Sequence, residues 1–152
     1  GFSDVSTYIN SGNILFKSRS GDARKLEVKI EKMLVSEYTL GCKVVVRSAD
    51  EMARLVDKLP ATWNDDKDWR YNVIFLRHAI DSKDVIKSFA PKTDFEQVRY
   101  VPGTLLWSAR ASDVERTSMQ KLPRQKIFQE MTVRNLNTTR KLHALMQEMS
   151  DH

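Results

Sequence analysis

The sequence predicts an α+β fold of two ferredoxin-like subdomains with mainly antiparallel sheets, the first lacking its N-terminal strand and helix. Three observations carry this. Two β-prone runs within Val5–Phe16 flank the tip Ser11-Gly12-Asn13, a strong hairpin signal. A second pair of runs, Phe95–Val101 and Thr104–Ser108, flanks the turn dipeptide Pro102-Gly103. The element order is hairpin–α–β–α, then β–α–hairpin–α–α, which suits antiparallel sheets with covering helices rather than parallel βαβ repeats. A polar, Trp-punctuated connection within residues 61–70 divides the chain into a first subdomain, 1–62, and a second, 70–152.

Each element has a local cause. After the first hairpin, Asp22 caps a helix running to about Thr39, with Leu26, Ile30, Met33 and Leu34 on one face and Gly41 as its stop. The β-branched run of Cys42–Arg47 reads as a strand. Ser48 and Glu51 form a capping box, in which hydroxyl and carboxylate each satisfy an orphan amide. Met52, Leu55, Val56 and Leu59 give that helix its buried stripe, and Pro60 ends it. Tyr71–Leu76 is an apolar strand. Asp81 or Ser82 opens a short helix carrying Val85, Ile86 and Phe89. Beyond the second hairpin, Pro123 opens a short helix, Thr132 is a candidate cap, and a last helix runs from about Asn135 to Met149.

Composition narrows the class. At 41% hydrophobic and 30% charged residues the chain reads as globular, and no apolar run approaches the ~20 residues of a membrane-spanning helix. Cys42 is the sole cysteine, which excludes an internal disulfide and suits a cytoplasmic protein. The net charge of +5 is uneven: residues 110–143 hold 8 basic and 3 acidic side chains. That excess fits either an anion-binding footprint or a solvated helical surface.

Two motifs give a resemblance. Thr7-Tyr8-Ile9-Asn10-Ser11-Gly12-Asn13-Ile14-Leu15-Phe16 resembles the signature of the bacterial domain-of-unknown-function 1697 family. The stretch Thr132–Leu142 resembles its second signature, with Leu136 where the family usually has Trp. The resemblance implies two similar α+β subdomains, a cytoplasmic protein and no established activity. It also implies a preceding strand and helix, of which Gly1-Phe2 resembles the end.

The richest candidate site is Arg134, Asn135, Asn137, Arg140 and Lys141, where cations and amides gather at a predicted helix start. Backbone amides there favour an anion such as phosphate, and an arginine can hold one bidentately. Ordinary capping uses the same residues. Asn10, Ser11 and Asn13 at the hairpin tip offer further donors beside Gly12, or serve the turn alone. Ser118-x-x-Lys121 lacks the companion motifs of acyl-enzymes. Asp65, Asp66 and Asp68 lack the Gly and distal Glu of a calcium loop. His78, His143 and His152 are dispersed, so no metal or cofactor is expected, although His78 and Asp81 are close enough for a dyad.

Three functional readings remain at this level. One is a non-catalytic binder of an anionic ligand, a nucleotide or nucleic acid. Another is a protein-interaction module, including a homodimer, formed through an exposed sheet edge. The last is an enzyme whose active site needs the family's N-terminal loop.

Overall fold

The computed structural model describes residues 1–9 and 12–151. Strands β1 (Phe2–Tyr8) and β2 (Asn13–Ser18) form an antiparallel hairpin, followed by helices α1 (Ala23–Tyr38) and α2 (Ala49–Asp57). Then come β3 (Trp69–Leu76), α3 (Val85–Phe89), β4 (Glu96–Val101), β5 (Thr104–Arg110), a run of 3-10 turns over residues 111–130, β6 (Met131–Asn135) and α4 (Leu136–Ser150). Strands β3 to β6 make one antiparallel sheet in the order β4-β5-β3-β6. Each crossover, β3 to β4 and β5 to β6, skips one strand; the first carries α3 and the second the 3-10 run.

The period-2 alternation of β3 splits its side chains between two cores. Ile74 and Leu76 join Leu105, Trp107, Val85, Phe89 and Leu122 on one face. Val73 and Phe75 join Met52, Leu55, Trp63, Leu106 and Leu136 on the other. With both faces covered, β3 reads as a continuous apolar run. Helix α2 thus packs, beside α4, on the four-stranded sheet, and Trp63 of the connection stacks on Tyr71 at 4.9 Å.

Several local expectations hold. The capping box forms: Ser48 Oγ accepts from Glu51 N at 3.1 Å and Glu51 Oε2 from Ser48 N at 2.7 Å. Asp22 caps α1. Pro102-Gly103 is the two-residue corner between β4 and β5, with Gly103 at φ 86°.

Other expectations are corrected. Helix α1 closes on Thr39, in the left-handed conformation, with Leu40 N donating to Leu34 O; Gly41 is not its cap. Cys42–Arg47 forms no strand and belongs to no sheet among the described residues. Its Val44 and Val46 amides donate to the side chains of Glu31 and Glu27 instead of a neighbouring strand. Thr132 lies inside β6, and Asn135 is the cap of α4. Residues after Pro123 form 3-10 turns rather than an α-helix.

Candidate functional site

Two polar motifs named from sequence meet in space. Strand β6 carries Arg134 to the tip of the first hairpin, 121 residues away in the chain. Its Nε donates to Asn13 Oδ1 at 2.8 Å and its Nη2 to the Gly12 carbonyl at 2.7 Å. Its Nη1 donates to Thr132 Oγ1 and the Val133 carbonyl. All these acceptors are neutral, and burial without a compensating carboxylate lowers the Arg134 pKa. Asn10 and Ser11 lie outside the described residues. Asn135 accepts from Thr138 N at 2.8 Å and caps α4. Arg140 donates to the Trp63 carbonyl at 3.1 Å, while Asn137 and Lys141 are exposed on the first turns of α4. The arrangement is a guanidinium clamp beside a helix start that carries two exposed cations, Arg140 and Lys141, and two exposed amides, Asn135 and Asn137.

A second polar region was not legible as a site. Helix α1 turns two carboxylates inward, toward the end of β3. Arg77 donates through Nε and Nη2 to Glu31 at 2.9 and 3.0 Å and through Nη1 to Glu130. Burial opposes the charge on Arg77, but Glu130 and Glu31 outweigh it and raise its pKa. Burial likewise disfavours the Glu130 anion, but hydrogen bonds from Lys43 and Arg77 hold its pKa below the usual range. Glu27, 2% exposed, accepts from Val46 N and faces His78 Nδ1 at 2.9 Å, without hydrogen-bond alignment. His78 Nε2 lies 3.4 Å from Glu51. His78 and Asp81, whose spacing allowed either a dyad or mere loop proximity, do not pair: Asp81 Oδ1 accepts from Tyr100 Oη at 2.8 Å and Gly103 N at 2.9 Å.

Beside this seam, α2 and the β4–β5 corner enclose a polar cleft of about 130 Å³. Arg47, Glu51, Arg54, Lys58, His78 and Asp81 supply its charged and titratable walls. Arg47 lies under the corner: Nη1 donates to its own Val46 neighbour's carbonyl, and Nη2 to the carbonyls of Leu76 and Gly103. Burial lowers the Arg47 pKa despite Glu51, Glu27 and Asp81 nearby.

Comparison with known proteins fixes the kinship. The family model described as "Protein of unknown function (DUF1697)" matches residues 1–107. The chain belongs to the DUF1697 family. The match contains the opening hairpin and ends before the Thr132–Leu142 motif. The solved structure of the conserved bacterial protein SP0830 from Streptococcus pneumoniae is similar in fold, at TM-score 0.77 and 23% identity. The similarity covers 97% of this chain and 82% of that one. No curated protein matches.

In this DUF1697 chain, sequence reasoning missed Glu27, Glu31, Arg47, Arg54, Lys58 and Arg77. One signal was available. Ala23, Leu26, Glu27 and Ile30 share a helical stripe, so Glu27 is an acid on an apolar face. Ser118 of the acyl-enzyme-like match is buried and donates to Glu96 Oε2 at 3.0 Å. Glu96 also takes Trp107 Nε1, Ser118 N and Lys92 N, so this serine anchors the 3-10 run to β4. Among the described residues no group of three or more His, Cys, Asp or Glu is placed to hold a metal. Among the described residues no helix is long and apolar enough to cross a membrane.

Proposed function

We propose that this DUF1697 chain is a non-catalytic cytoplasmic binding domain for an anionic, phosphate-bearing ligand, a nucleotide or nucleic acid. The ligand site is the junction of the hairpin tip with the start of α4, using Arg134, Asn135, Asn137, Arg140 and Lys141 with Asn10, Ser11 and Asn13. One observation carries the reading: Arg134, from one motif, is held against Asn13 and Gly12, from the other, with neutral acceptors only. A partly buried guanidinium without an anionic partner gains most from an anion brought to it. Lys141 and Asn137, one helical turn apart and exposed, supply further donors.

The test is titration of the isotope-labelled chain with inorganic phosphate and with a short single-stranded RNA at several salt concentrations. Binding is expected at α4 amides, falling steeply with salt. Asn137→Ala with Lys141→Ala tests the contacts without cutting the Arg134 clamp. Unchanged binding in that double variant refutes the site.

A second reading, strand addition by a protein partner, has its own support. In segment 42–47, the edge of Val44 and Val46 is taken by Glu31, Arg77, Glu27 and Arg47. The opposite edge, Lys43, Val45 and Arg47, has no backbone hydrogen bond among the described residues. Exposed Val5, Ile9, Ile14, Val28, Val35 and Leu40 lie in the same half of the chain. Unpaired backbone groups along an edge are what a β-augmenting strand needs. Pairing of two copies predicts a concentration-dependent dimer in sedimentation, and a strict monomer refutes it. The division into two ferredoxin-like halves, 1–62 and 70–152, belongs to the same reading. The strand order β4-β5-β3-β6 supports it for the second half, to whose core α2 and Trp63 also belong; the first half then keeps the hairpin and α1.

A further inference from the structure

We infer that the cleft between α2 and the β4–β5 corner is a separate anion site for a compact dianion of the phosphate-monoester class, gripped by Arg54 and Lys58. The charges that line the cleft are unequally committed. Asp81 is used by Tyr100 and Gly103, and Glu51 by the capping box and His78. Arg47 spends its donors on three backbone carbonyls. Arg54 and Lys58 are exposed, and among the described residues neither side chain has a hydrogen-bond or ion-pair partner. Arg54 lies in the last turn of α2 and Lys58, four residues on, is its C-cap in helical conformation, so the two share a face and repel one another. An anion between them removes that repulsion.

The corner opposite is suited to close approach. Gly103 has no side chain to fill the cleft, and the buried Arg47 guanidinium sits 3.2 Å from where a Cβ would be. That fixed positive charge lines the cleft, as does Thr104 of the corner. At about 130 Å³ the space suits a phosphoryl group better than a base or a peptide side chain. Attraction to the cations and repulsion from Glu51 and Asp81 both scale with ligand charge, so where the cations outweigh the carboxylates a dianion gains about twice what a monoanion does.

The experiment is NMR titration of the chain with inorganic phosphate, and separately with acetate at matched ionic strength, following the Gly103, Thr104 and α2 amides. Saturable phosphate shifts are expected there. Arg54→Gln with Lys58→Gln, whose side chains make no bond in the fold, is expected to weaken them about tenfold or more. A thermal melt of that variant checks that it stays folded. Absence of saturable shifts at Gly103 and Thr104, or equal binding by the variant, overturns the proposal. Equal binding of acetate overturns the dianion class. Asn137→Ala with Lys141→Ala is expected to leave these shifts intact. Their loss in that variant alone returns the anion to the α4 junction and refutes the second site.

Discussion

Replacing Arg77 by alanine is expected to be among the most damaging single changes in this protein. Arg77 is 8% exposed and joins α1, the segment 42–47, the end of β3 and the last 3-10 turn. Its loss leaves the Glu31 and Glu130 carboxylates facing each other across the vacated space. Removing one partner of a buried ion pair typically costs ~3–5 kcal/mol, because the other charge stays behind. Both carboxylates are 19% exposed, Glu31 keeps the Val44 amide, and Glu130 keeps Lys43. Partial rehydration and these partners place the cost at the lower end, about 3 kcal/mol. For a chain of this size that is a Tm drop of about 6–12 °C. Urea denaturation gives the free energy directly, with the midpoint shifted and the slope unchanged. The decisive comparison repeats Arg77→Ala in a Glu31→Gln, Glu130→Gln background. If stranded charge is the cause, the cost there falls well below that in the native background. Equal costs in both backgrounds, or a native-background loss under about 0.5 kcal/mol, refute the reasoning.

Other consequences are open to measurement. Gly103→Ala places a Cβ at positive φ and 3.2 Å from Arg47 Nη2, so it is expected to destabilise by about 1–3 kcal/mol in urea melts. Thr39→Gly relieves the left-handed cap of α1 and is expected to stabilise by about 0.5–1 kcal/mol. Glu96→Ala orphans four donors, including Trp107 Nε1, so near-UV circular dichroism of the tryptophans and about 3 kcal/mol of stability are lost, whereas Glu96→Gln retains an acceptor and loses less. Glu130 has a folded-state pKa below its unfolded value, so its contribution is full above the ordinary glutamate range and lost as pH falls through the folded value. Glu130→Gln is therefore expected to flatten the acid limb of the stability–pH profile.

What was readable in the sequence follows the range of each interaction. The Ser48–Glu51 box and the Pro102-Gly103 corner need only neighbours in the chain, and both form as read. The apolar run of β3 needs only to be buried. Strand β6 was missed because its short sequence, Met-Thr-Val-Arg-Asn, gains a strand's hydrogen bonds only by pairing with β3, some 60 residues earlier. The two halves of the α4 junction were each visible, but not their meeting, since nothing local to Arg134 says that Asn13 will be opposite it.

The segment Cys42–Arg47 shows why the charged seam was hidden. Its β-branched residues favour a strand, yet it joins no sheet among the described residues. Propensity cannot say who takes the hydrogen bonds. Here two helix carboxylates, Glu27 and Glu31, stand where a strand's carbonyls would, at the two-residue spacing of one strand edge. Those acids are in turn tolerable indoors only because Arg47, Arg77 and His78 approach from elsewhere in the chain. An acid on an apolar stripe and an arginine at the end of a buried strand are each a weak signal alone. Together they mark one buried cluster, and its exposed margin is the cleft that leaves Arg54 and Lys58 without partners among the described residues.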